Sequence, residues 1–223
     1  MKLHVAAGLV LVAGADLLSA QSGRIALDVK TLQPHNVKVE SVTFKGRQAM
    51  RVSDVAPADA GDVGRLAVLD TLQFRDGVIE IDLAGEPGAN APEAARGFVG
   101  IAFRVTPDQS RFECFYLRPT NGRADDQVRR NHSVQYISVP GFPWPRLRTE
   151  FPEKYESYAD LAPGEWTKVR IEVRGEKARL YVGGAAQPAL VVNDLKQPVS
   201  SGGIALWLDR GTVAHFADLR VSN

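Results

Sequence analysis

The sequence predicts an all-β sandwich of two antiparallel sheets, and three observations predict it. Short segments alternate apolar and polar residues with the period of two that a half-buried strand requires. Turn-forming residues separate them at Pro107-Asp108, Gly175-Glu176, Gly183-Gly184, Ser200 to Gly203 and Arg210-Gly211. No long segment carries the 3.6-residue period of an amphipathic helix.

The elements follow in order. Residues 1–20 read as a secretory leader: Lys2 is basic, residues 5–15 are apolar, and Ser19-Ala20 are small residues before Gln21. The apolar run falls short of the roughly 20 residues that span a bilayer. No cysteine follows it to carry a lipid anchor. The expectation is an exported protein, periplasmic or extracellular, with residues 21–223 as one domain; a buried N-terminal helix is the alternative. Strands are expected at 37–44, 48–54, 78–83, 98–105, 111–119, 132–139, 166–175, 178–184, 188–195, 202–209 and 215–221. Residues 86–97 read as a Pro/Gly/Ala loop, and 140–165 as a long loop whose Phe142, Trp144, Phe151, Tyr155 and Tyr158 argue against disorder.

Composition narrows the function. A formal net charge of +1 argues against non-specific nucleic-acid binding. Cys114 is the single cysteine, so no intrachain disulfide forms. No segment after the leader is long and apolar enough for a membrane span. No two of the four histidines stand at metal-ligand spacing, so no metal site is expected. Calcium is weighed and set aside, because neither Asp125-Asp126 nor the Asp-Ala-Gly-Asp run at 59–62 forms an EF-hand loop. Oligomeric state stays open.

Two groups of residues carry candidate chemistry. Glu80 and Asp82 alternate with Ile79, Ile81 and Leu83, so they share one strand face. Their role is either that of a polar sheet face or that of an acid/base pair. Glu86 completes the spacing poorly: an extended run from Glu80 to Glu86 spans roughly 20 Å at about 3.3 Å per residue, whereas retaining glycosidases hold their carboxyls about 5–5.5 Å apart. The second group lies in 112–138. Tyr116, Arg118, Asn121, Gln135 and Tyr136 supply the planar polar groups that saccharides need, and His132 is a candidate proton carrier. Phe115 and Leu117 are expected to face the core, with Tyr116 and Arg118 on the other face. Arg104, after the small residues Gly100 and Ala102, reads as a pocket floor. Trp144, Trp207 and the adjacent Asp209 are candidate stacking and binding groups. The bland alternatives are a charged surface hairpin and a Trp207 that serves as cover under the 140–165 loop.

The C-terminal third supplies a resemblance. GEWTKVRIEVRGEKARLYVGG, followed by SGGIALWLDRGTVAHFADLRV, resembles the end of a concanavalin A-like lectin/glucanase sandwich. Trp166 opens one strand, Tyr181 lies in a strand ending near Gly183, Gly203-Ile204 begins the next, and Phe216 with Leu219 sits in the closing one. The chain is most similar to laminin-G-like domains and the bacterial 3-keto-disaccharide hydrolase-like family, over residues 25–223. The resemblance implies a jelly-roll sandwich and a carbohydrate ligand on its concave face. It implies three functions, because the fold hosts enzymes and binding modules alike. The first is cleavage of glycosidic bonds in small or oxidised saccharides, with Arg118 or Arg104 on a substrate oxygen and His132 or Glu80 moving protons. The second is lectin-like binding without cleavage. The third is protein interaction or adhesion through the 140–165 loop. Laminarinase-type members carry Glu-x-Asp-x-x-Glu, and Glu86 here stands one residue too far along.

Overall fold

The computed structural model describes residues 23–56 and 64–223. The expected leader and the 59–62 run lie outside them. The strands are β1 (Gly23–Arg24), β2 (Gln33–His35), β3 (Val37–Phe44), β4 (Arg47–Asp54), β5 (Leu66–Phe74), β6 (Gly77–Pro87), β7 (Val99–Val105) and β8 (Phe112–Leu117). After β8 come a 3-10 turn (Pro119–Asn121) and the short helix α1 (Gln127–Asn131), then β9 (Val134–Val139), α2 (Trp144–Glu150) and β10 (Glu156–Ser157). β11 (Thr167–Arg174), β12 (Lys177–Val182), β13 (Leu190–Val192), β14 (Gly202–Leu208) and β15 (Thr212–Ser222) complete the chain.

These strands form two antiparallel sheets. One runs β13-β12-β11-β6-β15-β4-β3, with β1 also paired to β15; the other runs β10-β9-β8-β7-β14-β5-β2. The core lies between them. Ile79, Ile81 and Leu83 of β6, Val169, Ile171 and Val173 of β11, and Phe216 and Leu219 of β15 line one side. Val99, Ile101 and Phe103 of β7, Phe115 and Leu117 of β8, and Ile204, Leu206 and Leu208 of β14 line the other. Full burial of each such side chain contributes about 1.5–3 kcal/mol. Alternation then turns the intervening residues outward, which is how the fold positions polar groups on each outer face.

Several elements differ from the sequence expectation. The sequence allows two or three strands over 24–72 but does not place β5: Leu66, Ala67, Val68 and Leu69 are all buried, so its outward positions are covered and the alternation is erased. β6 continues through Glu86 to Pro87, past the turn expected there. The 140–165 segment contains α2. Pro145 sits in its first turn, where a missing N–H costs nothing. Leu147 is buried, and Arg146 pairs with Glu150 one turn on at 2.8 Å.

A polar network is sealed inside the core. Tyr136 packs against Phe115, with ring centroids 5.5 Å apart, and its hydroxyl donates to Glu113 Oε2 at 2.6 Å. The Gln197 backbone N–H donates to Glu113 Oε1, and that of Lys196 donates to the Tyr136 hydroxyl. Next along β8, Cys114 points outward yet is fully buried, and burial pushes its thiol pKa well up. Burial likewise raises the Glu113 pKa, against the pull of its hydrogen bonds. A carboxyl raised by folding favours the folded state below its unfolded pKa, and that advantage is lost as pH rises through the folded value. Replacing Glu113 by Gln removes the titration. The stability of wild type relative to Glu113→Gln is expected to fall as pH rises from about 4.5 towards neutrality; parallel melting curves across that range would sink the account.

Candidate functional site

One rung crosses all seven strands of the second sheet. His35, Leu66, Trp207, Gly100, Tyr116, Gln135 and Glu156 are successive cross-strand partners. Their neighbours Phe115 and Leu117 point into the core, so this rung faces out. Gly100 makes it possible: a Cβ there would lie 2.5 Å from the Tyr116 Cβ and 2.2 Å from the Phe115 carbonyl oxygen. The Tyr116 ring stands 4.7 Å from Trp207 and 5.4 Å from Phe98, centroid to centroid.

Arg118 ties the rung together. Its Nη2 donates to the Tyr116 hydroxyl at 2.8 Å and to Gln135 Oε1 at 3.1 Å, and its Nη1 donates to the His132 carbonyl at 3.1 Å. Nη1 also lies 3.5 Å from Glu156 Oε2. The guanidinium carbon sits 5.0 Å from the Phe98 ring, 5.2 Å from Tyr116 and 5.4 Å from Trp144. Only 3% of Arg118 is exposed, so its charge needs these partners.

Glu156 collects the remaining charges. Arg148 of α2 binds it bidentately at 2.8 and 2.6 Å, and His132 Nε2 lies 3.4 Å from its Oε1. The Trp144 indole, 40% exposed, lies over both guanidiniums, with the Arg148 carbon at 4.7 Å. Burial lowers the His132 pKa; Glu156 pulls it up, and Arg148 and Arg118 push it down again. The imidazole is therefore neutral near pH 7.

The structure thus brings together Tyr116, Arg118, His132, Gln135, Trp144 and Trp207. Asp209 stands two residues past Trp207, half-buried, just beyond the end of β14 and four strands along the sheet from Glu156. Asn121 braces the site from behind: its Nδ2 donates to the His132 carbonyl, and its Oδ1 accepts from Arg129. Four expected residues lie elsewhere. Tyr136 follows Gln135 directly, so alternation turns it into the core. Arg104 is the extra residue of a β-bulge opposite Gly203-Ile204, with φ at 54°. The bulge re-aims its side chain to the sandwich end, onto Asp76 and the Arg75 and Gly175 carbonyls.

Glu80 and Asp82 lie on the outer face of the opposite sheet, apart from His132. Glu80 is flanked by Arg170 and Arg220, its cross-strand partners. Asp82 accepts from Arg47 at 2.6 Å, and Arg47 also reaches Asp218 and stacks on Trp166. These are the arrangements of a salt-bridged polar face. His215 on that face is stacked on Phe44 and held near pKa 4 by burial and by Arg51.

Sequence reasoning missed Arg148, Glu156 and Phe98. No local spacing announces the first two; the end of α2 and a turn separate them, and tertiary packing makes them a pair. Two clefts lie away from the rung. One of about 410 Å³ is bordered by Asp54, Asn90, Arg210 and Thr212. The other, about 610 Å³, is bordered by Asp76, Glu172, Arg174, Lys177, Arg179 and Asn193.

Neither a protein-family model nor a curated protein sequence matches the chain. Solved structures do match its fold. Carbohydrate binding module CBM66 from Bacillus subtilis aligns with a TM-score of 0.56 at 12% identity, over 86% of this chain and 96% of that one. A galectin-like protein of unknown function from Bacillus subtilis aligns at 0.55 and 12%, over 87% and 90%. The β-glucanase of Bacillus licheniformis aligns at 0.51 and 13%, over 92% and 99%. The chain has the concanavalin A-like sandwich fold.

Arg148→Met strands the Glu156 carboxylate among Arg118 and His132. Losing one partner of a buried pair costs about 3–5 kcal/mol when nothing replaces it. Arg148 is one-third exposed and Arg118 remains, so about 2 kcal/mol is expected. The His132 titration midpoint, read by NMR, should move up in the same variant. An unmoved midpoint would contradict the proposed coupling.

Proposed function

We propose that this outer face binds a saccharide and does not cleave it by paired-carboxylate chemistry. The carrying observation is the state of Glu156, which is locked by Arg148 and has no carboxylate partner at working distance in the rung. Asp209 lies beyond Trp207, four inter-strand spacings away, or roughly 19 Å at about 4.8 Å each. Glycosidase carboxyls stand about 5–9.5 Å apart. Trp144 offers an exposed apolar ring for the C–H face of a sugar. Arg148 and His132 beside it offer polar edges for hydroxyl groups. A carbohydrate binding module and a β-glucanase share this sandwich, which supports a saccharide as the ligand.

The competing reading, a sugar-cleaving enzyme, draws on one feature: a neutral imidazole beside a carboxylate, as in general-base sites. A single incubation separates the two. The protein is mixed with a panel of neutral oligosaccharides, glycosides and keto-glycosides, and both ligand-induced thermal shift and product masses are read. Binding without new masses is expected, and Trp144→Ala should weaken it at least tenfold while leaving the melting temperature of the free protein within a few degrees. New masses that vanish in His132→Ala would establish the enzyme instead.

The leader expected over residues 1–20 supports an exported protein that meets its ligand outside the cytoplasm. N-terminal sequencing of the mature protein should begin at Gln21; an intact Met1 would overturn that reading.

A further inference from the structure

The 610 Å³ cleft lies on the other sheet, on its outer face, at the end where β11 turns into β12. Arg174 and Lys177 are direct cross-strand partners there, and Arg179 faces Glu172 one rung on. Like charges opposite one another destabilise a sheet, so a carboxylate between them would be the usual remedy. The two acidic side chains that border the cleft, Glu172 and Asp76, are committed elsewhere; Asn223 borders it too. Glu172 is held by Arg170 and by the Tyr181 hydroxyl at 2.9 Å. Asp76 accepts from Arg104 Nη2 at 3.1 Å and from the Gly175 N–H at 2.7 Å. Glu176, in the intervening turn, does not border the cleft and makes no ion pair. Arg174, Lys177 and Arg179 pair through their backbones in the ladder; among the described residues their side chains make no hydrogen bond or ion pair.

We propose that this cleft binds an anionic polysaccharide. Cross-strand and diagonal neighbours in a sheet stand about 5–8 Å apart, so the three cations form a spread array suited to a chain of repeated charges. Val78 borders the cleft, and Val191, 42% exposed, is the cross-strand partner of Arg179; they give apolar contact for sugar C–H groups. No aromatic ring borders the cleft, so the stacking platforms of single-stranded nucleic-acid sites are missing. The site is separate from the Trp144 face and does not rest on that reading.

The test uses polygalacturonate and dextran sulfate as anionic probes, neutral dextran as control and inorganic sulfate as the small-ion arm. Wild type should bind at least one anionic polymer, with affinity falling as salt is raised, and any response to neutral dextran should be the same in wild type and in the variant of the cleft. The triple variant Arg174→Gln/Lys177→Gln/Arg179→Gln changes exposed side chains and relieves the like-charge pair, so its melting temperature should hold or rise. Its affinity for the polymer should drop at least tenfold, while Trp144→Ala leaves that affinity unchanged. Three results overturn the proposal: no binding of either anionic polymer, equal binding by the triple variant, or inorganic sulfate binding as tightly as the polymer.

Discussion

The outer face of the seven-stranded sheet depends on one buried guanidinium. Arg118 reaches a phenol, an amide, a carbonyl and a carboxylate drawn from β8, β9, β10 and the loop between α1 and β9. A charge with 3% exposure cannot stay in place unless such partners are held for it. Gly100 follows from that requirement, because it leaves room for the Tyr116 ring whose hydroxyl accepts from Arg118. The fixed position of α2 follows too, because Arg148 balances the carboxylate that Arg118 leaves half-satisfied. Remove the guanidinium and the rung loses the group that joins its aromatic half to its ionic half.

Alternation made much of this legible in the sequence. It placed Phe115 and Leu117 inside, and Tyr116, Arg118 and Trp207 outside. It also separates Gln135 from Tyr136, a parity that residue chemistry alone overlooks: both look like sugar ligands, yet neighbours on a strand cannot share a face. Arg104 was illegible for a different reason. Its side chain is re-aimed by one backbone dihedral at a bulge, and no residue type announces that. Sheet membership was illegible as well. The spacing of Glu80 and Asp82 says that they share a face, but nothing in it says that the face belongs to the opposite sheet. The Arg148–Glu156 pair exists only once α2 has docked.

The two outer faces manage charge in contrasting ways. Around Arg118 the charges are few, mostly buried and paired with one another, although Arg118 Nε has no hydrogen-bond partner, and aromatic rings fill the gaps. Across β4, β6 and β15 they are more exposed and reticulated, as Arg47 bridging Asp82 and Asp218 shows. Buried pairs specify geometry, whereas exposed ones contribute about 0–1 kcal/mol each and mainly keep the sheet wet.

Cys114 sits beneath this arrangement, on the strand that carries Tyr116. A thiol with no exposed surface and a raised pKa offers an oxidant neither access nor a thiolate. Its chemistry is therefore coupled to the cover over the outer face of β8: an electrophile reaches the sulfur only when that cover lifts. The rate at which the native protein takes up a thiol reagent thus measures how often this face opens, making the lone cysteine an intrinsic clock for local unfolding.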